Sequence, residues 1–239
     1  MIRMIQLDAR LSLAFDLYDP CALAADIGTD HAHLPAALLQ RGRCQHMILT
    51  ELSDSALRNA GNEMIRYRLT DRVSLRLGSG LEPLDEKCAV ISITGMGGRT
   101  ISSILLSGRE KLQGAALVLS AHTDLPLIRE ALNTIGYTID REEPCFCSGR
   151  FYLVFRARPG VRLLNRKEIR LGSPLFTSES DQLIPYLKHR REILADKLNG
   201  LVNAAVPDRN QIALVREDIQ TYDDFIRKGR NPHDRTGCI

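Results

Sequence analysis

Apolar residues in this chain fall into short unbroken runs, separated by stretches in which they recur every three or four positions. The runs are Cys21–Ile27, His46–Glu51, Val73–Leu77, Ala89–Thr94 and Ala115–Ser120. Their length suits strands, and their continuous apolarity suits strands buried on both faces. Between them, the three-to-four spacing predicts helices over His31–Arg41, Asp54–Tyr67, Arg99–Lys111 and Leu125–Ile135. A short amphipathic helix over Leu11–Tyr18 leads in, and Asp19-Pro20 punctuates the join. Strands alternating with helices imply an α/β fold with a mostly parallel sheet.

The alternation stops after Gly136. Tyr137–Glu143 and Phe151–Ala157 follow directly, with Pro144–Arg150 between them, which reads as an antiparallel hairpin closing the sheet. From Pro159 to Pro174 the chain is basic and less regular, with breakers at Arg158-Pro159-Gly160 and Gly172-Ser173-Pro174. Ile184, Leu187, Leu194, Leu198 and Leu201 then follow a heptad seam that Arg191 interrupts. Pro207 and Asp208 mark a turn, and Ile212, Val215, Ile219, Tyr222 and Ile226 make a second seam. Two seams joined by a short turn describe an antiparallel helical hairpin, a coiled coil. The tail after Gly229 is polar and expected to be loose. The expected domains are residues 1–158, built on the sheet, and 159–239, a basic linker with the helical hairpin.

With 239 residues, 44% of them hydrophobic, the chain can build one cored domain and a smaller appendage. A net charge of +3 does not mark a nucleic-acid binder, but the distribution is uneven. Between Arg141 and Arg170 eight basic residues face three acids, Glu142, Glu143 and Glu168. Such an excess can attract phosphates, although a solvated surface accounts for it equally well. Its candidate RNA contacts are Arg150, Arg156, Arg158, Arg162, Arg166, Lys167 and Arg170. No apolar stretch reaches the roughly 20 residues a membrane span needs. Asp8 and Arg10 interrupt any signal-peptide core, so a cytoplasmic location is expected. Six cysteines without a CxxC pair, and His31-x-His33 without a partner at ligand spacing, give no expectation of a metal site.

Chemistry concentrates at the strand ends. The first strand runs into Ala25-Asp26-Ile27-Gly28-Thr29-Asp30-His31, and wound sheets bind ligands at such ends. An acid followed two residues later by glycine suits a cofactor with a cationic amine. A dinucleotide would want G-x-G-x-x-G, and a single glycine here favours S-adenosylmethionine (SAM), which has no pyrophosphate to cradle. Asp30 also reads as a cap for the next helix. Glu51, 25 residues after Asp26, can accept both hydroxyls of a ribose, with Leu52 beside it. Gly78-Ser79-Gly80-Leu81 should lie over the adenine. Thr94-Gly95-Met96-Gly97-Gly98 lets a flat substrate approach the backbone, or is simply a tight turn before a helix.

Asp26-Ile-Gly-Thr-Asp-His-Ala-His-Leu-Pro35, Gly78-Ser-Gly-Leu81, Gly95-Met-Gly-Gly98, Gly149-Arg-Phe-Tyr152 and Leu171-Gly-Ser-Pro-Leu175 resemble, in order, the bacterial tRNA adenine-22 N1-methyltransferase family, TrmK. The resemblance implies a Rossmann-like class I methyltransferase domain with a C-terminal coiled coil. It also implies SAM as donor and N1 of an adenine in the D-arm region of tRNA as acceptor. Two positions depart from the family. Ser79 stands where the family has an aspartate expected to hold the adenine amine of SAM. Ser120-Ala121-His122-Thr123 replaces a Gln-Pro-Asn loop that faces the acceptor.

On this reading Asp26, Gly28, Asp30, Glu51, Leu52, Gly78, Ser79, Gly80, Leu81, Gly95, Met96 and Gly97 hold the cofactor. Asp30, His31 and Thr94 are the catalytic candidates. Adenine N1 attacks as a neutral lone pair, so positioning should dominate, and Asp30 or His31 could take a proton from the exocyclic amine afterwards. Two other readings fit the same residues: a SAM-dependent enzyme acting on another RNA or a small molecule, and a non-catalytic RNA-binding protein that kept the fold. The oligomeric state is left open, with a monomer favoured.

Overall fold

The computed structural model describes residues 4–172 and 178–228. Ser173 and Pro174, the first three residues and the tail after Gly229 lie outside the described residues. The elements run α1 (Ala9–Asp16), β1 (Cys21–Ile27), α2 (His33–Gln40), β2 (Cys44–Glu51), α3 (Asp54–Tyr67), β3 (Val73–Leu77), β4 (Val90–Thr94), α4 (Gly98–Ser107), β5 (Ala116–Ala121), α5 (Leu125–Thr134), β6 (Tyr137–Cys147), β7 (Arg150–Pro159), α6 (Arg166–Leu171), α7 (Leu183–Val202) and α8 (Arg209–Lys228).

One sheet of seven strands has the order β3-β2-β1-β4-β5-β7-β6. The first five strands are parallel, and β7 enters antiparallel between β5 and β6. This is the mostly parallel, hairpin-closed sheet expected from the hydrophobic pattern. Chain order reverses between β1 and β4, so the crevice at their carboxyl ends is the switch point. The core gathers Leu34, Leu38 and Leu39 of α2 with Phe15 of α1 and Met47 and Leu49 of β2. Each such side chain contributes about 1.5–3 kcal/mol of burial.

The closing hairpin is longer than the sequence suggests. Its strands extend to Cys147 and back from Arg150, and the turn is only Ser148-Gly149, both at positive φ. Two such residues build the tight turn whose twist matches a hairpin. Pro144 lies within β6 opposite Leu153 instead of in a loop. It is tolerated because β6 is the edge strand, where a missing N–H breaks no ladder on the open side.

The chain divides into two compact units, Met1–Leu175 and Phe176–Ile239. The expected division after Arg158 therefore falls inside the first unit. Residues 160–171 are anchored there: Asn133 donates to the Leu164 carbonyl at 2.8 Å and accepts from its N–H at 3.0 Å. Arg129 donates to the Ile169 carbonyl at 3.0 Å. Helix α6 starts on a reciprocal cap between Asn165 and Glu168.

In the second unit α7 and α8 pack on each other as the expected helical hairpin. Leu187 of α7 and Val215, Tyr222 and Ile226 of α8 are buried. Arg191, which breaks the seam, donates to Asp223 of α8 at 3.2 Å.

Candidate functional site

A cleft of about 360 Å³ opens at the switch point. That volume lies within the range of small-molecule sites. Asp26, Gly28, Asp30, His31, Glu51, Thr94, Gly95 and Met96 line it together. The sequence pattern named all eight.

Asp26 is the penultimate residue of β1 and is only 2% exposed. Burial pushes its carboxyl up to about 6, with the Glu51 charge adding to the rise and the Ser92 hydroxyl opposing it. Ser92, its register partner on β4, donates to it, and Tyr18 just past α1 donates to Ser92 at 2.7 Å. Burial, then the Asp26 charge, holds the Tyr18 hydroxyl well above the usual phenol range, so it stays a donor. The Tyr18–Ser92–Asp26 chain fixes the carboxylate and is invisible in sequence, where Tyr18 and Ser92 read as core positions.

After β1 the chain folds tightly, with Gly28, Asp30 and Ala32 all at positive φ. The Gly28 and Thr29 amides donate to the Thr50 carbonyl at 2.9 and 3.3 Å. A Cβ at Gly28 would stand 2.0 Å from the Met96 methyl, so glycine keeps this wall open. The Asp30 amide donates to the Glu51 carboxylate at the end of β2, which orients Glu51 and leaves its other oxygen for a ligand. Asp30 does not cap α2 as the sequence suggests. The helix starts two residues later, its cap position is Ala32, and no side chain bonds it. The Asp30 carboxylate instead stands 3.7 Å from His31 Nε2 on the exposed rim.

The remaining cofactor candidates are not among the residues that line the cleft. Leu52 is 75% exposed beside Glu51. The Gly78 amide donates to the Glu51 carbonyl at 2.9 Å, and Ser79 is exposed on that loop. Gly80 packs against Ile104. Leu81 is buried and packs against Gly108, so it supports the loop from the core and does not reach the cleft. Gly97 precedes α4 close to Thr123. At Gly98 an added Cβ would meet the carbonyl oxygens of Thr123 and Asp124 at 2.5 Å, so this glycine serves close packing. Ser120 of β5 pairs with Thr94, and among the described residues its buried hydroxyl has no partner.

The basic candidates separate. Arg150 begins β7 at the cleft end of the sheet, 3.4 Å from His122 Nε2. Because β7 is antiparallel, Arg156 and Arg158 lie toward its other end, roughly 20–27 Å further along at about 3.3–3.4 Å per residue. There Arg158 pairs with Asp19 at 2.6 Å and Arg156 with Asp140 at 3.1 Å. Arg162 pairs with Glu168 at 3.5 Å, and Arg166, Lys167 and Arg170 lie on α6.

One cleft residue escaped the sequence reading. Arg10 of α1 lines the cleft, with its guanidinium 5.4 Å from the Tyr152 ring centroid. A lone arginine in a lead-in helix carries no motif, and only the fold brings it to the strand ends. Tyr152 also meets His122 edge-on, ring centroids 5.2 Å apart.

Among the described residues no helix is long and apolar enough to cross a membrane. No cluster of three His, Cys, Asp or Glu side chains that could hold a metal occurs among them either.

A methyltransferase domain family matches residues 7–155. A Bacillus subtilis (strain 168) tRNA (adenine(22)-N(1))-methyltransferase is 32% identical over 160 residues, 66% of this chain and 67% of that protein. The solved B. subtilis m1A22 tRNA methyltransferase TrmK superposes with a TM-score of 0.81 at 25% identity, over 93% of this chain and 99% of that one. A Streptococcus pneumoniae protein solved in complex with S-adenosyl-L-methionine superposes with a TM-score of 0.80 at 26% identity, over 92% and 100%. The sequence match covers the sheet domain and the structural superpositions cover 92–93% of the chain, and with them the chain belongs to the TrmK family of tRNA (adenine(22)-N(1))-methyltransferases.

Proposed function

We infer that the protein transfers the methyl group of SAM to N1 of an adenine in the D-arm region of tRNA. The observation that carries this reading is the cleft: a buried acid ends β1, a second acid ends β2, and one glycine stands where a dinucleotide site would need three. The B. subtilis relative is a tRNA (adenine(22)-N(1))-methyltransferase, and the S. pneumoniae protein holds SAM.

The donor set fits SAM. Glu51, with one oxygen already accepting from the Asp30 amide, would take the ribose hydroxyls. Asp26 would face the ammonium group. Gly28, Gly95 and Met96 would form the wall along the tail, with Leu52 and the Gly78–Leu81 loop around the adenine and Ser79 within reach of its edge. SAM, when bound, supplies a methyl group on a positively charged sulfur.

The chain's own work is alignment and exclusion of water. N1 lies on the Watson–Crick edge, so the acceptor base must leave its stack to enter the cleft. Thr94 and the Gly95–Gly97 loop receive it, beside the unpartnered Ser120 hydroxyl. Asp30 and His31 take the proton that the exocyclic amine loses once N1 is alkylated. Their exposure on the rim supports this role, because the proton must pass to water. Arg150, α6 with Arg166, Lys167 and Arg170, the nearby Arg162, and the hairpin α7–α8 hold the tRNA body by shape and phosphate contact. A tRNA substrate puts the enzyme in the cytoplasm.

The test is transfer from labelled SAM to bulk tRNA, followed by nucleoside analysis. N1-methyladenosine is the expected product. SAM binding without any methylated nucleoside would leave an RNA-binding protein on this fold.

A further inference from the structure

At the end of the sheet away from the cleft, β1 and β2 begin with Cys21 and Cys44. The two are register partners in parallel strands, and their sulfurs stand 3.2 Å apart. Partners on neighbouring strands hold their Cα atoms about 4.8 Å apart. That lies inside the range of roughly 4.4–6.8 Å that a disulfide bridges. The sheet fixes both backbones. The Cys21 amide donates to the Arg43 carbonyl at 3.0 Å, and the Arg72 guanidinium donates to the Cys44 carbonyl at 2.7 Å. A turn of the two side chains, with the strands unmoved, brings the sulfurs to bonding distance.

The thiols differ in what they can do. Cys21 is half-buried and open to small solutes, whereas Cys44 is buried. The Cys44 S–H donates to Cys21, and this lowers the Cys21 thiol from its ordinary range against its partial burial and the Asp19 charge. The same bond holds the proton on Cys44. The thiolate is the nucleophile, so Cys21 reacts first, with Cys44 in place to resolve the product. The other described cysteines are set differently. Cys88 and Cys145 are buried, which pushes each thiol up to about 11. Cys147 lies beside the Ser148 hydroxyl, at 3.7 Å.

We propose that Cys21 and Cys44 form a two-thiol redox site, which a hydroperoxide closes to an intrachain disulfide and a small thiol reopens. The Cys21 sulfur attacks one peroxide oxygen and the O–O bond breaks. The other oxygen leaves as water or an alcohol, and Cys21 becomes a sulfenic acid. The Cys44 sulfur then displaces that hydroxyl, which leaves as water with the Cys44 proton. Two electrons pass from the thiols to the peroxide. Reduction by two equivalents of a small thiol restores both S–H groups and yields that thiol's disulfide. Transient bonds of this kind are the ones a reducing compartment permits. The bond closes the segment from Cys21 to Cys44 into a covalent ring that contains Asp26 and the Gly28–Ala32 turn.

The experiment exposes the full chain to hydrogen peroxide, blocks free thiols with an alkylating agent and maps the six cysteines by peptide mass. The expected first product is one cross-link, Cys21 to Cys44, formed about tenfold or more faster than any other cysteine modification and lost on adding dithiothreitol. The ring should raise the melting temperature, and dithiothreitol should reverse the rise. In Cys44→Ser, a sulfenic-acid trap should label Cys21 and no cross-link should form. Recovery of Cys21 as a free thiol while other cysteines oxidise would overturn the proposal. So would sulfinic acid at Cys21 of the wild type without a cross-link, because Cys44 would then not resolve it. A cross-linked protein that melts lower than the reduced one would also overturn it, since the bond would then strain the strands it is meant to fit.

Discussion

Asp26 shows how one side chain can cost stability and carry function. Its carboxyl ionises at 3.8 in a free chain and at about 6 in the fold, chiefly because burial penalises the charge. The folded state therefore holds the proton more tightly, and the fold loses stability as pH rises from 3.8 to about 6. Above pH 6 the whole penalty is present, on the order of 1–3 kcal/mol. Asp26→Asn should accordingly raise the melting temperature of the ligand-free protein at pH 7.5 and leave it nearly unchanged at pH 4. The same carboxylate must be ionised to attract an ammonium group. SAM affinity of the wild type should climb as pH passes through about 6 and then level off. Asp26→Asn should bind at least tenfold more weakly, a loss of about 1.4 kcal/mol or more, with little pH dependence over that range. Calorimetry between pH 5 and 8 checks both, and a flat wild-type profile would remove Asp26 from the cofactor site.

Ser79 is a second residue whose role can be measured. It is exposed on a loop tied to the Glu51 carbonyl, so an acid there would not be buried. A charged hydrogen bond is worth about 1.5–3 kcal/mol against about 0.5–1.5 for a neutral one. Ser79→Asp should therefore tighten SAM and S-adenosylhomocysteine alike by several-fold. Tightening of SAM alone would signal a charge effect at the sulfonium and not an adenine contact. Asp26 and Glu51 could be read from the chain because each ends an apolar run. Tyr18, Ser92 and Arg10 could not, since their roles depend on which strand ends the fold sets beside α1.

Among the elements, the closing hairpin and α6 teach opposite lessons. The hairpin turn was obscured by Pro144, which reads as a loop residue until β6 is known to be an edge strand. The cap of α6 is written plainly as Asn165-x-x-Glu168, but the helix is only six residues long and its basic composition suggests a linker. What makes it part of the first unit is a buried ion pair. Arg129 of α5 and Glu142 of β6 are 2% and 0% exposed in their side chains. Arg129 also holds the Ile169 carbonyl of α6. Removing one partner strands a buried charge, at about 3–5 kcal/mol. Arg129→Met should cost that much in denaturant unfolding, while replacing both residues with apolar ones should recover part of the loss. A cost below about 1 kcal/mol would mean the pair contributes little to docking α6.

The whole molecule is two compact units, the first carrying the SAM cleft and the second expected to carry tRNA. A chain ending at Leu175 should keep SAM affinity and lose tRNA affinity at least tenfold. Binding of tRNA by the full chain should weaken steeply with salt, because phosphates release counterions on contact. Equal tRNA binding by the shortened chain would reduce α7–α8 to a structural role. The alternating runs made the sheet and the helical seams legible at this scale. The unit boundary was not, because the burial of Leu164 and Leu171 is a tertiary fact.

The central claim is N1 transfer to a D-arm adenine, and the most direct measurement is where the methyl group lands. Unmodified tRNA is incubated with SAM and the protein, and reverse transcription across it then stops at any base methylated on its Watson–Crick edge. The account predicts one new arrest, at an adenine in the D-arm region, present with wild type and absent with Glu51→Ala. Arrest elsewhere in the tRNA, or full methyl incorporation with no arrest at all, would contradict it.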